Sequence, residues 1–102
     1  MTKFHIEWKQ SSKIPEDPVT LAKLYLSHME LVKADLKSGK LTDFGQYSNG
    51  SSGYVLMEGS EFDVFTTLMK WLPYVEFDVK PVVNVDKTVE AINKALAQSK
   101  FV

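Results

Sequence analysis

The stretch Val75-Glu76-Phe77-Asp78-Val79-Lys80-Pro81-Val82-Val83 constrains the fold more than any other part of the chain. Apolar and charged residues alternate with a period of two, the pattern of a strand with one buried face and one different face. Val75, Phe77 and Val79 point one way, and Glu76, Asp78 and Lys80 point the other. Pro81 has no N–H to give a ladder, so the strand is expected at a sheet edge, or to end its pairing there. What lies against the charged face is the main functional question.

A second stretch has the same period. In Lys3-Phe4-His5-Ile6-Glu7-Trp8-Lys9, Phe4, Ile6 and Trp8 alternate with His5, Glu7 and Lys9. A polar connection follows, and Asp17-Pro18 starts a helix, with Asp as N-cap and Pro at the first helical position. At 100° per residue, Leu21, Ala22, Tyr25, Met29, Val32 and Leu36 share one face, with His28 on its margin. Leu24 and Leu31 lie further round, so this helix is expected to touch two surfaces. Ser38-Gly39 stops it.

Lys40 to Ser48 reads as a second strand, with Leu41, Phe44 and Tyr47 as its bulky members. Gly45 within it invites a bulge or a close approach of another backbone. Asn49 to Gly53 is a hairpin loop. Tyr54-Val55-Leu56-Met57-Glu58 is a third strand, apolar on both faces apart from Glu58, and therefore expected at the centre of the sheet. Ser60 with Asp63 resembles a capping box for a second helix, whose expected buried stripe is Phe65, Leu68, Met69 and Leu72. Trp71-Leu72-Pro73 ends it. Asp86 is expected to cap a last helix in which Val89, Ile92 and Leu96 share a face.

The order β-α-β-β-α-β plus a C-terminal helix is that of an α+β, ferredoxin-like sandwich in one domain over residues 1–102. It predicts a four-stranded antiparallel sheet, spatial order 4-1-3-2, with both main helices on one face. The other face would carry His5, Glu7, Lys9, Glu76, Asp78 and Lys80 in cross-strand pairs. Strand 3 would add either Val55 and Met57 or Tyr54, Leu56 and Glu58. A half-apolar open face is a reason to expect a partner.

FHIEW near the N-terminus, the hairpin strand GSSGYVLMEG, the segment MKWLPYVEFDVKPVV and a trailing helix together resemble the dimeric α+β barrel superfamily. Within it, the chain is most similar to a small family of unknown function related to muconolactone-isomerase-like domains. The resemblance spans about residues 3 to 86 and implies a homodimer with two sheets packed face to face. Relatives in the superfamily include cofactor-independent monooxygenases, isomerases and ligand-sensing proteins. None of their catalytic motifs can be laid onto this chain residue by residue.

Composition excludes several functions. The net charge is -1, so nothing electrostatic favours nucleic acid or an anionic membrane. All 12 basic residues are lysine, and without arginine the best bidentate recogniser of phosphate is missing. Without cysteine there is no disulfide, thiolate metal site or thiol nucleophile. The charged N-terminal segment and the lack of a membrane-length apolar run predict a cytoplasmic protein.

Two sets of candidate site residues remain. His5 and Glu7, with Asp78 one strand away, could form a carboxylate-oriented general base; a self-paired charge cluster is the plainer reading. His28, near Tyr25, could line a cleft between helix and sheet. With the aromatics Trp8 and Tyr54, and with Glu58, those residues are the ligand-binding candidates, against core packing as the alternative. Two histidines on different elements lack a metal-binding spacing, so neither metal nor cofactor is expected. The chain therefore reads as a homodimeric barrel with a small-molecule cleft. The alternatives are a cofactor-independent isomerase or monooxygenase acting on a small hydrophobic or aromatic compound, and a non-catalytic dimerisation or sensing module.

Overall fold

The computed structural model describes residues 2–98. In chain order these form β1 (Thr2–Gln10), α1 (Pro18–Ser38), β2 (Asp43–Gln46), β3 (Ser52–Gly59), α2 (Glu61–Met69), β4 (Val75–Val82) and α3 (Val85–Ala97). The four strands make one antiparallel sheet in the order β2-β3-β1-β4, the ferredoxin-like arrangement that the element order predicts. β4 is an edge strand, as Pro81 requires.

Local chemistry sets the helix ends. Asp17 caps α1, its carboxylate accepting from the Thr20 N–H at 2.8 Å, with Pro18 at the first helical position. Gly39 closes α1 with φ of 84°, a left-handed conformation that costs glycine least. Ser60 and Asp63 form a reciprocal capping box on α2, at 3.1 and 3.0 Å. α3 is capped by Asn84, and Asp86 falls in its first turn instead of at the cap. The Asn84 side chain accepts from the Lys87 N–H at 2.9 Å, which puts the cap two residues earlier than expected.

The core lies between the sheet and α1 and α2. Ile6 and Met57 are fully buried at its centre, joined by Phe4, Val32, Val55, Val64, Leu68 and Trp71. Burying a side chain of this kind contributes roughly 1.5–3 kcal/mol. β2 is shorter than the expected span of residues 40–48, and Leu41 packs into the core from the connection before it. Gly45 sits beneath the Tyr54 ring, and its carbonyl lies so close to the Gly53 backbone that a Cβ on Gly53 would clash with it, so both a side chain and a backbone approach closely here.

Three expected burials differ. α2 turns Val64 and Leu68 inward and leaves Phe65, Met69 and Leu72 exposed. On α1 the buried residues are His28, Val32 and Asp35; Leu36 and Ala22 are exposed. Val79 follows the inward parity of β4 but is 40% exposed on this edge strand. The inward turn of Asp35 has a cause in pairing: its carboxylate is joined to the Lys70 ammonium, which also stands 5.7 Å from the Trp71 ring. This link ties the end of α1 to the end of α2.

Candidate functional site

Beneath α1 the core is not closed. A cavity of about 100 Å³ opens between α1, the inner sheet face and the segment from Trp71 to Val75. Its wall is mostly apolar, including Leu24, Met29, Phe44 and Phe77, with few polar groups facing it. That composition is usual for a small-molecule site. The volume is on the scale of a single aromatic ring: a dry apolar cavity of about 150 Å³ is known to hold benzene.

The three polar side chains that matter here are Trp8, His28 and Tyr25, all lining the cavity. Trp8 comes from β1 by the same parity that buries Phe4 and Ile6. Its indole stacks on Phe44 at 5.9 Å and 13°. Gly53, paired opposite it on β3, lets the ring lie over the backbone: a Cβ there would meet Trp8 Cζ2 at 2.6 Å. The indole Nε1–H is buried and has no hydrogen-bond partner among the described residues. Leaving such a donor unpaired costs about 1–3 kcal/mol.

His28 is 9% exposed, wedged edge-on against Trp71 at 5.0 Å and tilted against Tyr74 at 6.0 Å. Burial holds its pKa below the usual 6.5, so the ring is neutral at neutral pH. A neutral imidazole presents one donor and one acceptor. Burial also raises the Tyr25 phenol, which stays protonated. Tyr74 is held in place by the β1–α1 connection: the Ser11 N–H donates to the Tyr74 carbonyl at 2.9 Å and the Ser11 hydroxyl to the Pro73 carbonyl at 2.5 Å.

The remaining candidates lie elsewhere. His5, Glu7, Tyr54, Glu58 and Asp78 are all on the outer sheet face, opposite the cavity. There Tyr54 stacks on His5 at 6.0 Å and donates its hydroxyl to Asp43 at 2.8 Å. That hydrogen bond and the charge of Asp43 hold the Tyr54 phenol above its usual pKa. Lys9 pairs with Glu76 across the strands at 3.6 Å, and Lys80 with Asp78 along β4 at 3.3 Å. Glu7 lies opposite Asp78 in the ladder, so the carboxylates expected to orient a base meet each other and lysines. The structure thus brings together Trp8, Tyr25 and His28 and separates them from His5, Glu7, Asp78, Tyr54 and Glu58.

Sequence reasoning placed His28 at the margin of α1, whereas it is on the inward face with Val32 and Asp35. The spacing 28, 32, 35 is itself a helical face and could have revealed this. Among the described residues, no group of His, Asp and Glu side chains could hold a metal ion, and no helix is long and apolar enough to cross a membrane.

The fold and this cleft define a small ferredoxin-like α+β domain with an apolar site beneath its first helix. The chain belongs to the family described as domain of unknown function DUF3303, whose model matches residues 2–96. A search of curated proteins found no match.

Proposed function

We propose that the protein is a homodimer that binds a small, flat, apolar compound carrying one hydrogen-bond acceptor in the cleft beneath α1. The observation that carries this reading is the apolar cavity of about 100 Å³ lined by Trp8, Tyr25 and His28, beside which the Trp8 Nε1–H is buried without a partner among the described residues. A ligand carbonyl or ether oxygen would accept from the indole, while Phe44, Met29 and Phe77 would pack on its ring. Neutral His28 and protonated Tyr25 favour an uncharged ligand. The dimer reading rests on the outer sheet face, where Leu56 and Tyr54 interrupt the charges, and on the resemblance to dimeric α+β barrels.

A catalytic version of the same site is favoured by one observation: His28 lines the cavity, where burial lowers its pKa and favours the neutral imidazole, the form that accepts a proton. A cofactor-independent isomerase would use it to move a proton on the bound compound.

The experiment is a thermal-shift screen of one-ring aromatics with and without a carbonyl group. A ligand at 100 times its dissociation constant adds about 2.7 kcal/mol to the native state. For a domain of this size, that is upward of about 10 °C in Tm. Carbonyl-bearing rings should raise Tm, and Trp8→Phe should reduce their affinity about tenfold, the cost of one lost hydrogen bond. A screen in which no ring compound moves Tm overturns the reading.

A further inference from the structure

The helix α3 has nothing to lie on. Among the described residues it packs against no other element of the chain. The molecule is 60 Å long but only 30 by 23 Å across, with a radius of gyration of 17.6 Å against about 13 Å for a compact chain of this length. Yet α3 is well built. It is capped by Asn84, and on its polar face Glu90 pairs with Lys87 at 3.0 Å and with Lys94 at 3.5 Å. Its other face is a continuous apolar stripe of Val85, Val89, Ile92 and Leu96, each between 47% and 74% exposed. Isolated helices shorter than about 12–15 residues are marginal in water, so a 13-residue helix of this kind needs a surface to pack on.

The same chain has a matching surface that no other described residue covers. The outward face of α2 carries Phe62, Phe65 and Met69, continued by Leu72 in the following turn, each between 48% and 74% exposed. This is the stripe left over when Val64 and Leu68 turn inward. At 1.5 Å per residue the two stripes are each about 15–17 Å long.

Charge and topology decide which copy of α3 fits. α2 begins with Glu61 and Asp63 and is followed by Lys70; α3 begins with Asp86 and has Lys94 in its last turn. Antiparallel packing sets Lys94 against the acidic start of α2 and Asp86 towards its end, which also opposes the two helix dipoles. β3 and β4 both run antiparallel to β1, so they end on the same side of the sheet. An α3 folded back beside its own α2 would therefore run parallel to it, acid against acid. A second copy is free of that constraint.

We propose that α3 is an exchange arm: each copy lays its Val85–Leu96 stripe antiparallel on the Phe62–Leu72 stripe of the other. The arrangement is isologous, each arm covering the stripe the other chain leaves open. The inference is independent of the cleft ligand. It shares only the second copy with the dimer read from the sheet face.

The test is sedimentation of the full chain and three variants at 1–100 µM. The full chain should sediment at twice 11.6 kDa. Ile92→Glu, which touches no core residue, should weaken self-association at least 100-fold while keeping the cooperative melt of the sheet domain. Phe65→Glu should do the same. An equimolar mixture of these two variants should re-associate, because the intact arm of one fits the intact α2 stripe of the other. Leu56→Lys, on the outer sheet face, separates the two dimer readings: it should leave the arm-held dimer associated. A monomeric full chain at 100 µM overturns the proposal, as does a dimer that Ile92→Glu leaves intact or a mixture that fails to re-associate.

Discussion

The two faces of one sheet treat their polar groups in opposite ways. On the outer face several polar side chains pair with one another, Tyr54 with Asp43, Lys9 with Glu76 and Lys80 with Asp78, and the others, such as Glu7 and Glu58, are exposed to solvent. On the inner face, where desolvation makes an unpaired group expensive, the Trp8 N–H is left without a partner and His28 is held neutral. A self-satisfied set of charges is what solvent or a protein interface demands. The unsatisfied donor beside an apolar cavity is what we propose a ligand completes. Proximity of a histidine to carboxylates, as on the outer face, is therefore a poorer guide to a site than an unmet hydrogen bond.

The sharpest break in this comparison comes from neighbouring residues of β1. Ile6 is fully buried and Glu7 exposed. Ile6→Ala should cost about 3 kcal/mol in urea unfolding, from lost burial plus a residual cavity. Glu7→Ala should stay within about 0.5 kcal/mol. Equal effects would mean that the inner and outer faces are not distinct.

Next in size is the Asp35–Lys70 link. Lys70→Met leaves a buried carboxylate unpaired and should cost roughly 2–3 kcal/mol, below the full buried-pair value because the Lys70 side chain is about one-third exposed. The double variant Asp35→Leu with Lys70→Met should recover most of that loss. If the double variant is no more stable than the single one, the penalty is not that of an uncompensated charge.

A smaller effect is set by pH. The folded pKa of His28 lies below 6.5, so the unfolded chain takes up this proton first. Its contribution is constant above the unfolded value and is lost as pH falls through 6.5 towards the folded value. The slope is at most about 1.4 kcal/mol per pH unit. Unfolding measured at intervals from pH 7.5 to 5.5 should show the decline, and His28→Gln should remove its share. An unchanged slope in that variant would place the titration elsewhere. The smallest effect belongs to the outer face: Lys9→Ala should cost under about 0.5 kcal/mol, as exposed ion pairs do.

Much of the frame was readable from local patterns. Period two in Phe4–Trp8 and Val75–Val79 set both strands and their inward residues, and Asp17-Pro18 and Ser60/Asp63 marked helix starts that the backbone obeys. The strand order followed from the element order alone. What local pattern could not supply was choice among equivalent options. α2 carries two adjacent apolar stripes, and only the sheet beneath decides that Val64 and Leu68 face it while Phe65 and Met69 do not. The Asp35–Lys70 pair joins residues 35 apart in the chain and leaves no periodic trace. The parity of Trp8 put its ring on the inner face, but whether its N–H finds an acceptor depends on packing around Gly53 and Phe44.

The central claim is that this N–H waits for a ligand, and the indole resonance reports on it directly. The two tryptophan Nε1–H signals can be followed by ¹H–¹⁵N correlation NMR and assigned with Trp8→Phe. Acetophenone should move the Trp8 signal downfield and saturably, with changes at His28 and none at His5 on the opposite face. Ethylbenzene, which has the ring but no acceptor, should perturb the cleft without the downfield shift. Indole and His28 signals that stay fixed at millimolar concentrations of both compounds would contradict the account.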